Sequence, residues 1–506
     1  MFRDGYAVDM KQLIFASYLM ALPWLIGATL GPVAQMGAWL VSGVALSGLL
    51  FFQSARAWPQ SLLLAAVVSL GLALLQYAGL AEHFFPWIAE AAPGEMLGNL
   101  RQRNQFATLM AVGWLAALVM LAMQDRADTA SKSRVETSAK RNVAVACLIV
   151  ALLGLGNALS GSRTGLVQAL AVLGLVYFWQ HHLGTGWRLV VGAAVVGYAL
   201  GLVAAPWLSD VLGHTNAGLW GRTTDTNAFS RLALWSNVLE LIAREPLLGH
   251  GWRSLAYAHY SSDFSSPRFM EMLDNAHNLP LHLAVELGLP VAAAFCGLVG
   301  WLIWRNQPWK ETRSDRQLAW GILLVIGIHS MLEYPLWYGP FFMTALICIA
   351  VLCGDLWQDF KEKWSYAGAE YARSAITLGV RGLAVCLLAG TAFVAFDYHR
   401  VSQIYLAPEQ RSSWYADDPL AAAKQSVLFQ SQAKFAELQI TPLSRATAPR
   451  VLKLSSALVH WSPEPRIIEK LIESSVMMGL DDLAVFHLKR YKLAYPAAYA
   501  AWAQRA

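Results

Sequence analysis

The chain has 506 residues, 56% of them hydrophobic and only 14% charged, and its net charge is +5. Soluble domains carry nearly twice that charged fraction, which excludes an ordinary water-soluble enzyme. The small positive charge says less than its distribution does.

Apolar runs of the length a bilayer-crossing helix needs, roughly 17–25 residues, recur along most of the chain. Taken in order, eleven spans are predicted, over 12–30, 33–52, 61–80, 105–123, 143–159, 165–180, 188–207, 279–304, 317–334, 337–354 and 375–396. The fold class is therefore all-α and polytopic. No small-residue cleavage site follows the first run, which reads as a retained span rather than a signal peptide. Four parts follow: N-terminal spans (1–207), a long loop (208–278), C-terminal spans (279–396) and a hydrophilic tail (397–506). Cys147, Cys296, Cys348, Cys353 and Cys386 all fall in apolar runs without metal-ligand spacing, which predicts buried packing.

Lys and Arg placement sets the orientation. With the N-terminus inside, the short inner segments hold Arg3, Lys11, Arg56, Arg126, Lys132, Arg134, Lys140, Arg141, Arg188, Arg305, Lys310, Arg313, Arg316, Lys361, Lys363 and Arg373. The short outer loops hold only Arg101, Arg103 and Arg163. The long loop and the tail then face outward, and residues 124–142 form a solvated inner linker. No nucleic-acid partner is expected.

In the long loop, NAFSRLALWSNVLELIARE carries Phe229, Leu232, Trp235, Leu239 and Ile242 at three-four spacing, with Pro246 just past its end. That pattern predicts an amphipathic helix lying on the outer membrane face or over a cavity. In the tail, Asp418-Pro419 reads as an N-cap with proline at the first helical position. Two further helices should meet near Gly479, giving a small repeat-like helical domain.

The polar residues gather at the predicted outer rim. GNLRQRNQFA brings Arg101 and Arg103 to the start of span four, SGSRTG brings Arg163, and the long loop adds Arg222 and Arg231. Arginine is costly near hydrocarbon, and its planar fork of donors suits phosphate oxygens. Several arginines around His277 fit a lipid pyrophosphate. The plainer alternative is that Arg101 and Arg103 snorkel to the interface or pair with Glu90 and Glu95. Glycine and serine flank Arg163, where backbone can approach a ligand closely.

SGSRTG, SRLALW, PLLGHGW and AHNLPLHLAVELGLP resemble the periplasmic signature of the O-antigen ligase and polymerase superfamily. GNLRQRNQFAT, HSMLEYPLWY and the helical tail narrow the likeness, over roughly residues 95–500, to bacterial protein O-oligosaccharyltransferases, the pilin glycosylation ligases. Gln105 departs from that branch, many relatives carrying His there. The resemblance implies a GT-C-like fold in the bacterial inner membrane with a periplasmic site. It also implies transfer of a preassembled glycan from undecaprenyl pyrophosphate to an acceptor hydroxyl, with inversion and without cofactor or metal. No Asp-x-Asp pair stands on the outer face, which agrees.

In that frame His277 is the expected general base, since an imidazole titrates near neutrality and an alcohol is a poor nucleophile until its proton is taken. Arg101, Arg103, Arg163, Arg222 and Arg231 would hold the departing pyrophosphate. Asn275 and Asn278 would set the His277 tautomer or cap the following helix; in the competing reading they cap and His277 is idle. His282 reads as packed, while His250 and His259 are weaker candidates for acceptor contact. His329 and Glu333, four apart, would share a helix face and satisfy each other, or Glu333 with Tyr334 would orient His277 or an arginine. A lipopolysaccharide O-antigen ligase, with lipid A-core as acceptor, is the nearest alternative. A repeat-unit polymerase follows, and then a flippase, which the absence of internal repeats disfavours.

Overall fold

The computed structural model describes residues 10–27, 29–52, 58–131, 136–214, 227–354 and 369–505. The described residues are mostly helical, and no strand occurs among them. In hydrocarbon the backbone has no water to bond, and a helix satisfies its own amides. Among the described residues six helices are long and apolar enough to cross a bilayer: Trp58–Tyr77, Arg103–Arg126, Ala139–Leu159, Trp187–Leu212, Leu289–Lys310 and Ala375–Tyr405. The chain is a multi-pass membrane protein. Met36–Phe52, Arg163–Trp179 and Gly339–Leu352 are shorter apolar helices. Among the described residues six of the eleven expected spans thus reach that length as single helices. The first predicted span, for instance, coils only over α1 (Met10–Ala21), because Pro23 then enters a 3-10 turn. Among the orienting cations, Arg3, Arg56, Lys132, Arg134, Lys361 and Lys363 lie outside the described residues.

The chain divides into two compact units. The first joins Met1–Thr29, Ala34–Thr224 and Asn306–Phe393. It contains α2 (Met36–Phe52), α3 (Trp58–Tyr77), α4 (Arg103–Ser131), α5 (Glu136–Leu159), α6 (Arg163–Trp179) and α7 (Trp187–Leu212). After the second unit's insertion come α12 (Ser314–Ser330) and α13 (Gly339–Leu352). The axis of this unit is α4: 89% of its apolar window is buried, with α3, α5, α6 and α12 around it. Lipid offers no hydrophobic drive to pack two helices, so close backbone approach matters there. A Cβ on Gly197 would collide with the Ala151 carbonyl, which lets α7 lie against α5.

The second unit joins Leu30–Val33, Asp225–Arg305 and Val394–Ala506. Its first core packs α8 (Asn227–Arg244), α9 (Leu255–Ser261) and α10 (Leu279–Leu287) around Leu234, Val238, Leu241, Leu255 and Val285. The span α11 (Leu289–Asn306) follows directly, and the long helix α14 (Ala369–Ser402) enters the unit at its C-terminal end. The tail forms α15 (Pro419–Lys424), α16 (Gln430–Ile440), α17 (Ala448–Trp461), α18 (Pro465–Met477), α19 (Asp481–Ala494) and α20 (Pro496–Ala503). From α15 to α20 each packs against the next. Asp418 caps α15 at Ala421 N, 2.9 Å, and Gly479 makes the left-handed turn between α18 and α19, both as expected. Tyr260 of α9 inserts into the tail's core and lies 3.1 Å from His487 Nδ1.

Three expectations change. The apolar run 279–304 is not one helix: Gly288, at φ 88° and ψ 161°, ends α10, and Pro290 cannot extend it. Glu286 therefore stands on a short helix before the span. The buried stripe of α8 is Leu234, Val238, Leu241 and Ile242, whereas Leu232 and Leu239 point outward. The helix is apolar on two sides, and its packing against α9 and α10 decides which is buried. Of the cysteines, all free, only Cys348 is buried; Cys296, Cys353 and Cys386 sit on outward helix faces, where lipid replaces protein as the apolar partner.

His259 shows how the second unit responds to acid. Asn237 gives its amide hydrogens to Ser266 and Pro267, so its Oδ1 must accept from His259 Nε2 at 3.1 Å. Burial, helped by the Arg268 charge, lowers this histidine to about 3. Burial likewise takes His487 down to about 4. Both are neutral when folded and bind a proton at about 6.5 when unfolded. Their stabilisation is complete above that value and is lost as pH falls, at about 1.4 kcal/mol per unit per histidine until the folded values are reached. Melting temperature in detergent should therefore drop steeply between pH 6.5 and 4. The drop should be shallower in His259→Phe, and an unchanged profile in that variant would refute the assignment.

Candidate active site

In the first unit three polar motifs meet at one side chain. Asn104, in the first turn of α4, donates from Nδ2 to Glu333 Oε1 at 3.2 Å and accepts from Ser162 Oγ at 2.7 Å on Oδ1. The same Ser162 hydroxyl accepts from Gly165 N at 3.0 Å and so caps α6, which begins at Arg163. GNLRQRNQ, SGSRTG and LEYPLWY are thus brought together. Arg163 is exposed on the positive end of a helix, where the backbone dipole adds to its charge. Tyr334 follows the buried Glu333 and stacks on Tyr338 at 6.1 Å.

Arg101 is exposed and left-handed, φ 60°. Its loop is fixed from within: Asn99 bonds to Leu25 O, Trp87 O and Ala89 N, and Gln76 bonds to Ala89 O, Gly98 O and Leu97 N. Arg103 pairs with Glu95 at 3.1 Å, as the plainer alternative expected, so part of its charge is already balanced. One turn deeper, Thr108 Oγ1 lies 2.9 Å from His329 Nδ1 and 2.9 Å from Gln168 Nε2. His329 thus lies beside Thr108 while Glu333 accepts from Asn104, and the Glu333 N–H bonds His329 O at 2.8 Å, so the turn continues past Ser330. Gln105 is fully buried, and neither of its amide atoms has a hydrogen-bond partner among the described residues.

Replacing Asn104 by alanine should cost about 1–3 kcal/mol, the usual penalty for stripping buried partners. Asn104→Asp should cost more, because it sets a second carboxylate against Glu333. Thermal melts of both variants test this; equal stability to wild type would show that the three loops hold without the amide.

The second unit gathers the remaining motifs. His277 has φ 51°, a left-handed conformation uncommon outside glycine that tends to mark functional sites. Asn275 Oδ1 accepts the His277 N–H at 3.0 Å, and Asn278 Oδ1 caps α10 at Leu281 N, 3.1 Å. Both asparagines are buried while His277 is half-buried, so the backbone work falls to its neighbours. Trp235 donates to Ala276 O at 3.0 Å, tying α8 to this turn. Arg231 lies half-buried near the start of α8, and Arg222 lies outside the described residues.

The other end of α10 is held by PLLGHGW. His250 N bonds Val285 O at 2.8 Å, Gly251 N bonds Glu286 O at 2.9 Å, and Leu289 N bonds Pro246 O at 2.8 Å. The buried Glu286 carboxylate accepts from Arg253 N at 2.9 Å and lies 3.7 Å from His282. A Cβ on Gly249 would come within 2.5 Å of the Glu286 carbonyl carbon, and one on Gly288 would collide with the Leu247 carbonyl oxygen. His250 bonds Leu241 O at 3.0 Å and His259 bonds Asn237 Oδ1 at 3.1 Å, so each ties one ring nitrogen to the scaffold. Ser162 is not named from the sequence, whereas Asn104 reads as one of the polar residues opening span four and Glu286 as an ionisable group inside span eight. Serine just before Arg163-Thr-Gly was the available signal, as a helix N-cap.

Three families match. One described as O-antigen ligase matches residues 148–296, one described as protein glycosylation ligase matches 97–121, and one described as virulence factor membrane-bound polymerase, C-terminal, matches 317–506. These matches support the likeness to the O-antigen ligase superfamily and its protein glycosylation ligase branch. Among its relatives in Acinetobacter baylyi, a general O-oligosaccharyltransferase is 27% identical over 286 residues, 54% of this chain and 46% of the relative. A ComP-specific O-oligosaccharyltransferase is 24% identical over 341 residues, 67% of this chain and 57% of the relative. The chain thus spans about half the length of these relatives. No solved structure matches significantly.

Proposed function

We infer that this chain is a glycosyltransferase of the O-antigen ligase family that moves a preassembled glycan from undecaprenyl pyrophosphate to Ser or Thr of a periplasmic protein such as a type IV pilin. The observation that carries the reading is His277, held left-handed in a turn that two buried asparagines fix through their backbone bonds. The relatives' activities support the reaction class. The imidazole takes the acceptor hydroxyl proton, the oxygen attacks the anomeric carbon, and the bond to pyrophosphate breaks on the opposite side, inverting that centre. Arg101, Arg103, Arg163, Arg222 and Arg231 stabilise charge on the departing diphosphate, more in the transition state than before it. Glu333 and Tyr334 support the arginine side through Asn104. The reaction runs without metal, at the outer face of the bacterial inner membrane.

Expression with a lipid-linked glycan pathway and a candidate pilin, followed by intact mass of the pilin, tests the reading. A glycan-sized gain on Ser or Thr supports it. The O-antigen ligase match over residues 148–296 favours lipopolysaccharide ligation as the second reading. Glycan on lipid A-core with unmodified pilin would establish that reading instead.

A further inference from the structure

We propose that the turn after α8, Leu247 to Arg253, is a bilayer-inserted anchor that fixes the height of the His277 turn above the membrane. Leu289, the first residue of the span α11, bonds its N–H to Pro246 O, so the turn starts level with the point where that span leaves the bilayer. Gly288 and Gly249 let the two backbones touch, which leaves the turn no room to shift along the span. At that level Leu247 is 70% exposed, Leu248 83% and Trp252 59%. The span beside them is itself only 6% buried and presents its sides to lipid. The apolar turn therefore continues a lipid-facing surface, and the outer leaflet is its occupant.

The order along the turn matches the change in polarity across a leaflet. Two leucines come first, then Trp252, a residue enriched at membrane interfaces, then the exposed Arg253, suited to headgroup phosphates. The clasp runs from this turn through Glu286 along α10 to Asn278 and His277. Depth in lipid is thereby transmitted to the turn that carries the imidazole.

The functional consequence rests on the reading of His277 as base; the depth itself does not. On a cysteine-free background, spin labels at Leu248→Cys and, as an aqueous control, Glu409→Cys are compared in proteoliposomes for collision with oxygen and with a water-soluble nickel chelate. The Leu248 label should favour oxygen at least five-fold more than the control. Equal accessibility of the two labels overturns the anchor, whatever the activity. Leu247→Asn/Leu248→Asn should lower kcat/KM at least ten-fold for a long-chain lipid donor in proteoliposomes. With a short-chain donor in detergent the change should be less than two-fold. An equal loss in both assays would overturn the height-setting role, and no turnover by the parent chain in either would count against the functional reading alone.

Discussion

His277→Ala is expected to reduce glycan transfer by about 10²–10⁴-fold, the contribution typical of a positioned general base. Purified enzyme, lipid-linked donor and pilin suffice for the assay, with intact pilin mass as readout. Melting temperature should change little, because Asn275 and Asn278 hold the turn and the helix start through their own bonds. Donor retention should also persist, since the arginines and not the imidazole are proposed to bind the pyrophosphate. Full transfer by the variant would mean that some other group removes the proton. Loss of transfer together with a collapsed melting temperature would assign His277 to the scaffold instead.

Gly288→Ala should be the most damaging small substitution in the second unit. Its φ of 88° with ψ of 161° lies where side-chain-bearing residues pay strain, and the added methyl would strike the Leu247 carbonyl. Strain and overpacking together are worth on the order of 3 kcal/mol or more. The turn cannot yield without giving up the bonds from His250, Gly251 and Leu289 to their carbonyls. The expected result is a strongly lowered melting temperature and faster trypsin cleavage near Arg253, with transfer lost in proportion. Wild-type melting would show that the clasp is dispensable. Gly297→Ala, on α11 with open space around it, serves as the control.

The helical class and the apolar runs were legible because spacing and length are local properties. So were the Asp418 cap and the Gly479 turn. The phase of α8 was not, since Leu232 and Leu239 satisfy the periodic pattern as well as Leu234 and Val238 do; only α9 and α10 choose between them. The break at Gly288 hid inside a run that reads as one continuous span. Arg103 could be read either way, and a carboxylate eight residues earlier decided it. The cross-chain bonds that Glu333 makes to Asn104 and His329 to Thr108 were not legible, because residues more than 200 positions apart supply them.

The amide of Asn104 has a further consequence. One end gives and the other receives, so loops at residues 95–104, 160–163 and 333–338, far apart along the chain, share a single switchboard. On the proposed function, none of the three can be retuned for a new sugar donor without the other two registering it. Engineering that seeks altered glycan preference has more freedom at exposed neighbours such as Arg101 than at the shared amide itself.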